Sequence, residues 1–119
     1  MLDTSGDEDS NFQFAIFEIN SELLNMDRDL LWFLLRSEGI HAKKPFYPGV
    51  HCMHPYLQLF PFYQDSLTTT NSLCTNLLQL PVGNKMETLD IDRISDLFDF
   101  LIRNDIAIVE KIKKDGINR

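Results

Sequence analysis

Four of the chain's five prolines, Pro45, Pro48, Pro55 and Pro61, fall in the stretch KKPFYPGVHCMHPYLQLFPFY, residues 43–63. Each proline removes a backbone donor and fixes φ, and each pushes the residue before it out of the helical region. No long helix or central strand can run through such a segment, so the fold must be built from the residues on either side. The segment is nevertheless no polar linker: it holds all three tyrosines, two of the three histidines and three of the nine phenylalanines. A backbone stiffened by proline loses less entropy when it is held in one arrangement. Such a loop suits the display of rings and imidazoles to a ligand, and Phe46, Tyr47, His51 and Tyr56 are its candidates. Gly49 supplies the turn between Pro48 and His51, whereas Phe60, Phe62 and Tyr63 read as cover for the rest of the fold.

The flanks carry regular periodicities. Residues 12–19, FQFAIFEI, are rich in aromatic and branched side chains on both alternating faces, as in a strand covered on two sides. NSELLNMD follows as a turn, and RDLLWFLLRSEG predicts a helix with Asp27 as its N-cap and Gly39 as its stop. Residues 40–46 are expected to return as a second strand. Beyond the ring-rich loop, residues 70–79 give a weaker helix with Leu73 and Leu77 inward, and LQLPVG ends it with a short extended piece. TLDIDRISDLFDFLIRND is the clearest helix: Thr88 can cap it, and Ile91, Ile94, Leu97, Phe98, Leu101 and Ile102 recur at helical spacing. The tail IAIVEKIKKDGINR is amphipathic and fits either a continued helix or a strand. The order implies an α+β fold, a small, mostly antiparallel sheet packed with helices.

At 119 residues the chain is about one domain. Its first ten residues carry four carboxylates, so residues 1–11 are expected to form a disordered acidic leader, 12–105 the domain, and 106–119 a C-terminal extension. A net charge of −7 argues against nucleic acid or an anionic membrane as a partner. No run approaches the roughly 20 apolar residues of a membrane span. Two cysteines make no disulfide framework, so a cytoplasmic protein with free thiols is expected.

Self-contained catalytic chemistry is hard to find. His51, Cys52 and His54 lie close in sequence, but a zinc site needs a second pair of ligands, and His41 and Cys74 do not form one. Neighbours on an extended segment point to opposite sides, so His51 and Cys52 do not make a nucleophile and its base. The five glycines are scattered and build no phosphate loop. No metal ligand and no catalytic residue is therefore assigned.

A longer series of features is more informative. RDLLWFLLRSEGIHAKK, YPGVHCMHPYLQLFPFY, SLCTNLLQLPVG and LDIDRISDLFDFLI stand in the order and spacing of the C-terminal part of the DegT/DnrJ/StrS sugar aminotransferases. The chain resembles that family over residues 12–103. The matching positions are Arg28 and Asp29 opening a helix, Glu38-Gly39-Ile40, Tyr47-Pro48 with His51, Leu80-Pro81, and the helix from Ile91 to Ile102. Two departures stand out: Lys43 and Lys44 occupy positions that are often arginine, and Thr70-Asn71 stands where threonine–glutamate is common. Lysine offers a point charge where arginine clamps a phosphate in two places.

The resemblance implies the small domain of a pyridoxal-phosphate enzyme of the aspartate-aminotransferase fold, which aminates keto-sugars attached to nucleotides. In that family the Schiff-base lysine, the aspartate at the pyridinium nitrogen and the phosphate-binding residues belong to a preceding large domain. The chain is expected to be inactive alone, with its cofactor bound by that domain or by a partner subunit, and a homodimer is left open. The loop then lines the sugar-nucleotide site, with Tyr47, His51, Phe46 and Lys44 as substrate-binding residues. The alternative is a stand-alone interaction module that keeps the fold without the chemistry and associates through exposed apolar surface.

Overall fold

The computed structural model describes residues 13–116. Strand β1 is Ala15–Glu18 and helix α1 is Arg28–Ser37. Short helices α2, Tyr56–Leu59, and α3, Tyr63–Ser66, follow a single helical turn at Val50–Cys52. Helix α4, Thr68–Asn76, runs directly into strand β2, Leu77–Leu80. Helices α5, Thr88–Arg103, and α6, Asp105–Asp115, complete the order. The expected α+β class holds.

The sheet is antiparallel, with Phe17 opposite Leu78 and Ala15 opposite Leu80. The strand expected over residues 40–46 shrinks to one bridge, in which Lys43 and Gln79 exchange both backbone hydrogen bonds at 2.9 Å. The next bonded pairs of such a ladder would be His41 with Pro81 and Pro45 with Leu77. Each contains a proline that cannot donate, and the Leu77 carbonyl is already taken by the Arg28 side chain at 2.9 Å. The ladder therefore ends where it begins.

Helix α1 forms as its sequence predicts. The Asp27 carboxylate accepts the Leu30 N–H at 2.7 Å, Asp29 lies in the first turn, Arg36 in the last, and Gly39 turns out of the helix at φ +80°. Leu30, Leu31 and Leu35 are buried, and with Leu78 and Leu101 they make the centre of the core. The helix expected at 70–79 is corrected: it ends at Asn76, where Leu77 takes extended angles. Leucines at 73 and 77 have helical spacing, but LLQL also suits a buried strand, and the partner strand decides between them.

Helix α5 starts one residue earlier than read, with Glu87 as cap and its N–H bonded to the Asp90 carboxylate at 3.1 Å. It meets the sheet through Ile94, Leu97, Phe98 and Leu101, with Phe98 stacked on Phe17 at 6.2 Å. Ile91 and Ile102, assigned to the same stripe from sequence, are about half exposed. The tail is a separate helix, α6, whose Ile108, Val109 and Ile112 pack on the core. Its Asp105 carboxylate accepts the backbone and side-chain N–H groups of Asn25, and these bonds hold the carboxyl below its ordinary pKa. The expected leader, residues 1–11, lies outside the described residues. Among the described residues no helix is long and apolar enough to cross a membrane.

Candidate functional site

The loop after α1 is fastened in two separate ways, and its candidate residues divide accordingly. Its first part lies along α1. The Trp32 indole donates to the Ala42 carbonyl at 3.0 Å, and the Lys44 ammonium sits 4.2 Å from the Trp32 ring and 2.9 Å from the Asp29 carboxylate. Tyr47 covers the guanidinium of Arg28, with the two 5.0 Å apart.

Arg28 is the buried charge of this region. Its Nε donates to Asp29 at 2.7 Å, and one terminal nitrogen donates to the carbonyls of Cys74 and Leu77. These are carbonyls at the end of α4, where the helix leaves acceptors without internal partners. Burial works against ionisation of Asp29, but hydrogen bonds from Lys44 and Arg28 together hold its carboxyl below the usual value. Lys44 and Tyr47 thus belong to a cluster of cations and rings on α1.

The second part turns away from α1 and forms a groove. Phe46 adopts φ +61° and is 73% exposed, so its ring stands out from the loop. Such a backbone is costly for a residue with a side chain and persists where the surroundings fix it. Gly49, at φ +92°, is required for a second reason: a Cβ there would lie 2.7 Å from the His51 ring and 3.3 Å from the Cys74 sulfur. Glycine lets the imidazole lie flat against the turn. His51 Nε2 and Asn71 Oδ1 are 2.6 Å apart, and the Asn71 amide nitrogen donates to the Gln64 carbonyl at 2.7 Å.

An open groove of about 480 Å³ results, walled by Phe46, Val50, His51, Tyr56, Phe60 and Tyr63 and floored by Gly49 and Cys74. No charged residue lines it. Of the four substrate-binding candidates, Phe46 and His51 come together here, while Lys44 and Tyr47 do not line the groove and belong to the cluster on α1. His54 is exposed and does not join His51, and among the described residues no three metal-ligating side chains are gathered. Tyr63 and Phe60, read as cover, line the groove instead.

With the loop flanked by α1, α4 and β2, comparison with known proteins becomes informative. The model of the DegT/DnrJ/EryC1/StrS aminotransferase family matches residues 1–99. The chain belongs to this family. A solved structure of DesI in the presence of its TDP-sugar product is similar, with a TM-score of 0.73 and 28% identity over 85% of this chain. The match occupies 25% of the DesI chain, so this chain spans about a quarter of the length of that relative. No curated protein matches the chain.

Membership of an aminotransferase family raises the question of which amines could meet pyridoxal phosphate. A Schiff-base lysine needs a pocket and a free amine. The Lys44 ammonium is held by Asp29, and Lys43, Lys85, Lys111, Lys113 and Lys114 stand on the exposed surface.

Sequence reasoning missed Asn71 as a partner of His51. Its signal was present in the departure from threonine–glutamate at residues 70–71. It also left Arg28 and Asp29 without roles, because their partners lie far along the chain.

Proposed function

We propose that this chain serves as the substrate-facing small domain of a pyridoxal-phosphate-dependent sugar aminotransferase, acting on a keto-sugar attached to a nucleotide. The single observation that carries the reading is an uncharged, ring-walled groove whose Cys74 also accepts, through its backbone carbonyl, from Arg28 of the cationic cluster, within a chain of this family. A nucleotide sugar has the matching duality of neutral rings and a charged diphosphate. In this reading Phe46 and His51 contact the neutral part, while Lys44 and Tyr47 shape the approach of the charged part. The chain binds, orients and excludes water. The cofactor and its lysine belong to a large domain on the same or a partner polypeptide, and the described chain alone transfers no amino group. Two free thiols, Cys52 and Cys74, agree with a reducing, cytoplasmic setting.

The test is a titration of the labelled chain with a TDP-sugar, followed by nuclear magnetic resonance. Resonances of Phe46 and His51 should move, and the chain with added pyridoxal phosphate and an amino donor should give no product. A borohydride-stable cofactor adduct at a single lysine would overturn the division of labour. Absence of any shift across residues 43–51 would overturn the substrate site.

A second reading has its own support. Leu59, Phe60 and Phe62 are each more than half exposed, and such a cluster is a surface for association. In that case the chain is an interaction module, and sedimentation over a concentration series would show self-association or, with a supplied large domain, a complex.

A further inference from the structure

The hydrogen-bond chain from Gln64 to His51 settles which way each group points. The Gln64 carbonyl can only accept, so the atom of Asn71 that approaches it at 2.7 Å is the amide NH2 group. The amide oxygen of Asn71 must then face His51. An oxygen cannot donate, so at 2.6 Å the imidazole Nε2 carries the proton. The neutral ring has one N–H, which leaves Nδ1 as a bare acceptor. No hydrogen bond to Nδ1 occurs among the described residues, and its edge of the ring lies against Gly49, where a Cβ would stand 3.1 Å from Nδ1 and 3.3 Å from the Cys74 sulfur; all three residues line the groove.

We propose that Asn71 is a positioning residue that selects the Nε2–H form of His51. It thereby fixes a single hydrogen-bond acceptor, Nδ1, on the wall of an otherwise uncharged groove, which takes a neutral ring bearing an N–H or O–H donor and rejects an anion. The chemistry follows from the lining. An anion entering a groove with no cation would lose its hydration without compensation, whereas a neutral ring gains apolar contact and one directed bond. A carboxylate at position 71 would instead favour the imidazolium, which has no acceptor, so the amide at this position has a specific consequence. The inference rests on the reading of the groove as substrate-facing. It narrows the occupant to the nucleobase or the sugar of a nucleotide sugar, with the diphosphate left outside.

Long-range 1H–15N spectra of the intact, histidine-labelled chain, recorded where the imidazoles are neutral, test the geometry. His51 should show an unprotonated Nδ1 and a protonated Nε2, and in Asn71→Ala that preference should be lost. Thymidine, a free 6-deoxyhexose and pyrophosphate are then titrated separately. A shift of the Nδ1 resonance with thymidine assigns the nucleobase, and one with the hexose assigns the sugar. Pyrophosphate should leave it unmoved, and Asn71→Ala should weaken the neutral ligand's binding several-fold. An Nδ1–H ring in the wild-type chain, a response to pyrophosphate alone, or no response to either neutral compound would overturn the proposal. A correct tautomer with no response of residues 43–51 to the whole TDP-sugar would instead count against the substrate site, so the two failures are distinguishable.

Discussion

Helix α1 and the ring-rich loop carry similar loads of large apolar side chains and dispose of them in opposite ways. In α1 the leucines at 30, 31 and 35 are buried, and burial holds the helix in place. From Leu59 to Leu67 the large apolar side chains all stand exposed. Order in the loop comes instead from prolines, from Gly49, and from a few directed contacts: Lys44 and Tyr47 on α1, and His51 on Asn71. A region fixed by burial resists change through its volume. A region fixed by a few directed bonds leaves its surface free to meet something else, and a change at one bond alters geometry more than stability.

The contrast can be broken or sharpened by substitution. The largest expected effect is at the core: Leu35→Ala should cost about 2–5 kcal/mol by chemical denaturation, since Leu35 is fully buried. Arg28→Met should follow at about 2–4 kcal/mol, because it strips two carbonyls of a charged donor and leaves Asp29 without one of its partners. Gly49→Ala should cost about 1–3 kcal/mol through its positive φ and the collision with His51, and should also abolish the shift of His51 on ligand addition. Phe62→Ser should lie within about 0.5 kcal/mol of the wild-type chain; a loss comparable to that of Leu35→Ala would erase the distinction between the two regions.

The pH dependence is smaller and has a defined sign. Asp29 has a folded-state pKa below its ordinary value, so its contribution is complete above that ordinary value and is lost as pH falls through the folded one. Lys44→Met should weaken the acid-side loss, measured as the thermal midpoint against pH. The carboxylate is 46% exposed, so the effect should be modest.

The legible parts of the fold were those whose causes are local. Asp27 and Gly39 bound α1, and the spacing of Ile94, Leu97 and Leu101 set the inner face of α5. The misread parts depend on distant residues. The segment after Ile40 looks extended, but only its alignment with β2 shows that Pro45 and Pro81 face the places where the ladder would continue. Leu77 reads as helical until β1 and Arg28 claim its backbone. At the site, Phe46 and His51 were recognisable as ring and imidazole on a stiff loop. The partnership of His51 with Asn71 spans 20 residues and carries no spacing rule, and Lys44 was chosen for its charge without sight of Asp29.

Arg28 reaches 46 residues along the chain to the last turn of α4, the same helix that carries Asn71. The wall on which the imidazole leans is thus anchored to a guanidinium contributed by the opposite side of the loop. A peptide cut to residues 43–76 would keep every groove-lining side chain, yet it would have no clasp to close the end of its helix. The groove is therefore a property of the assembled fold and cannot be transplanted as a linear motif.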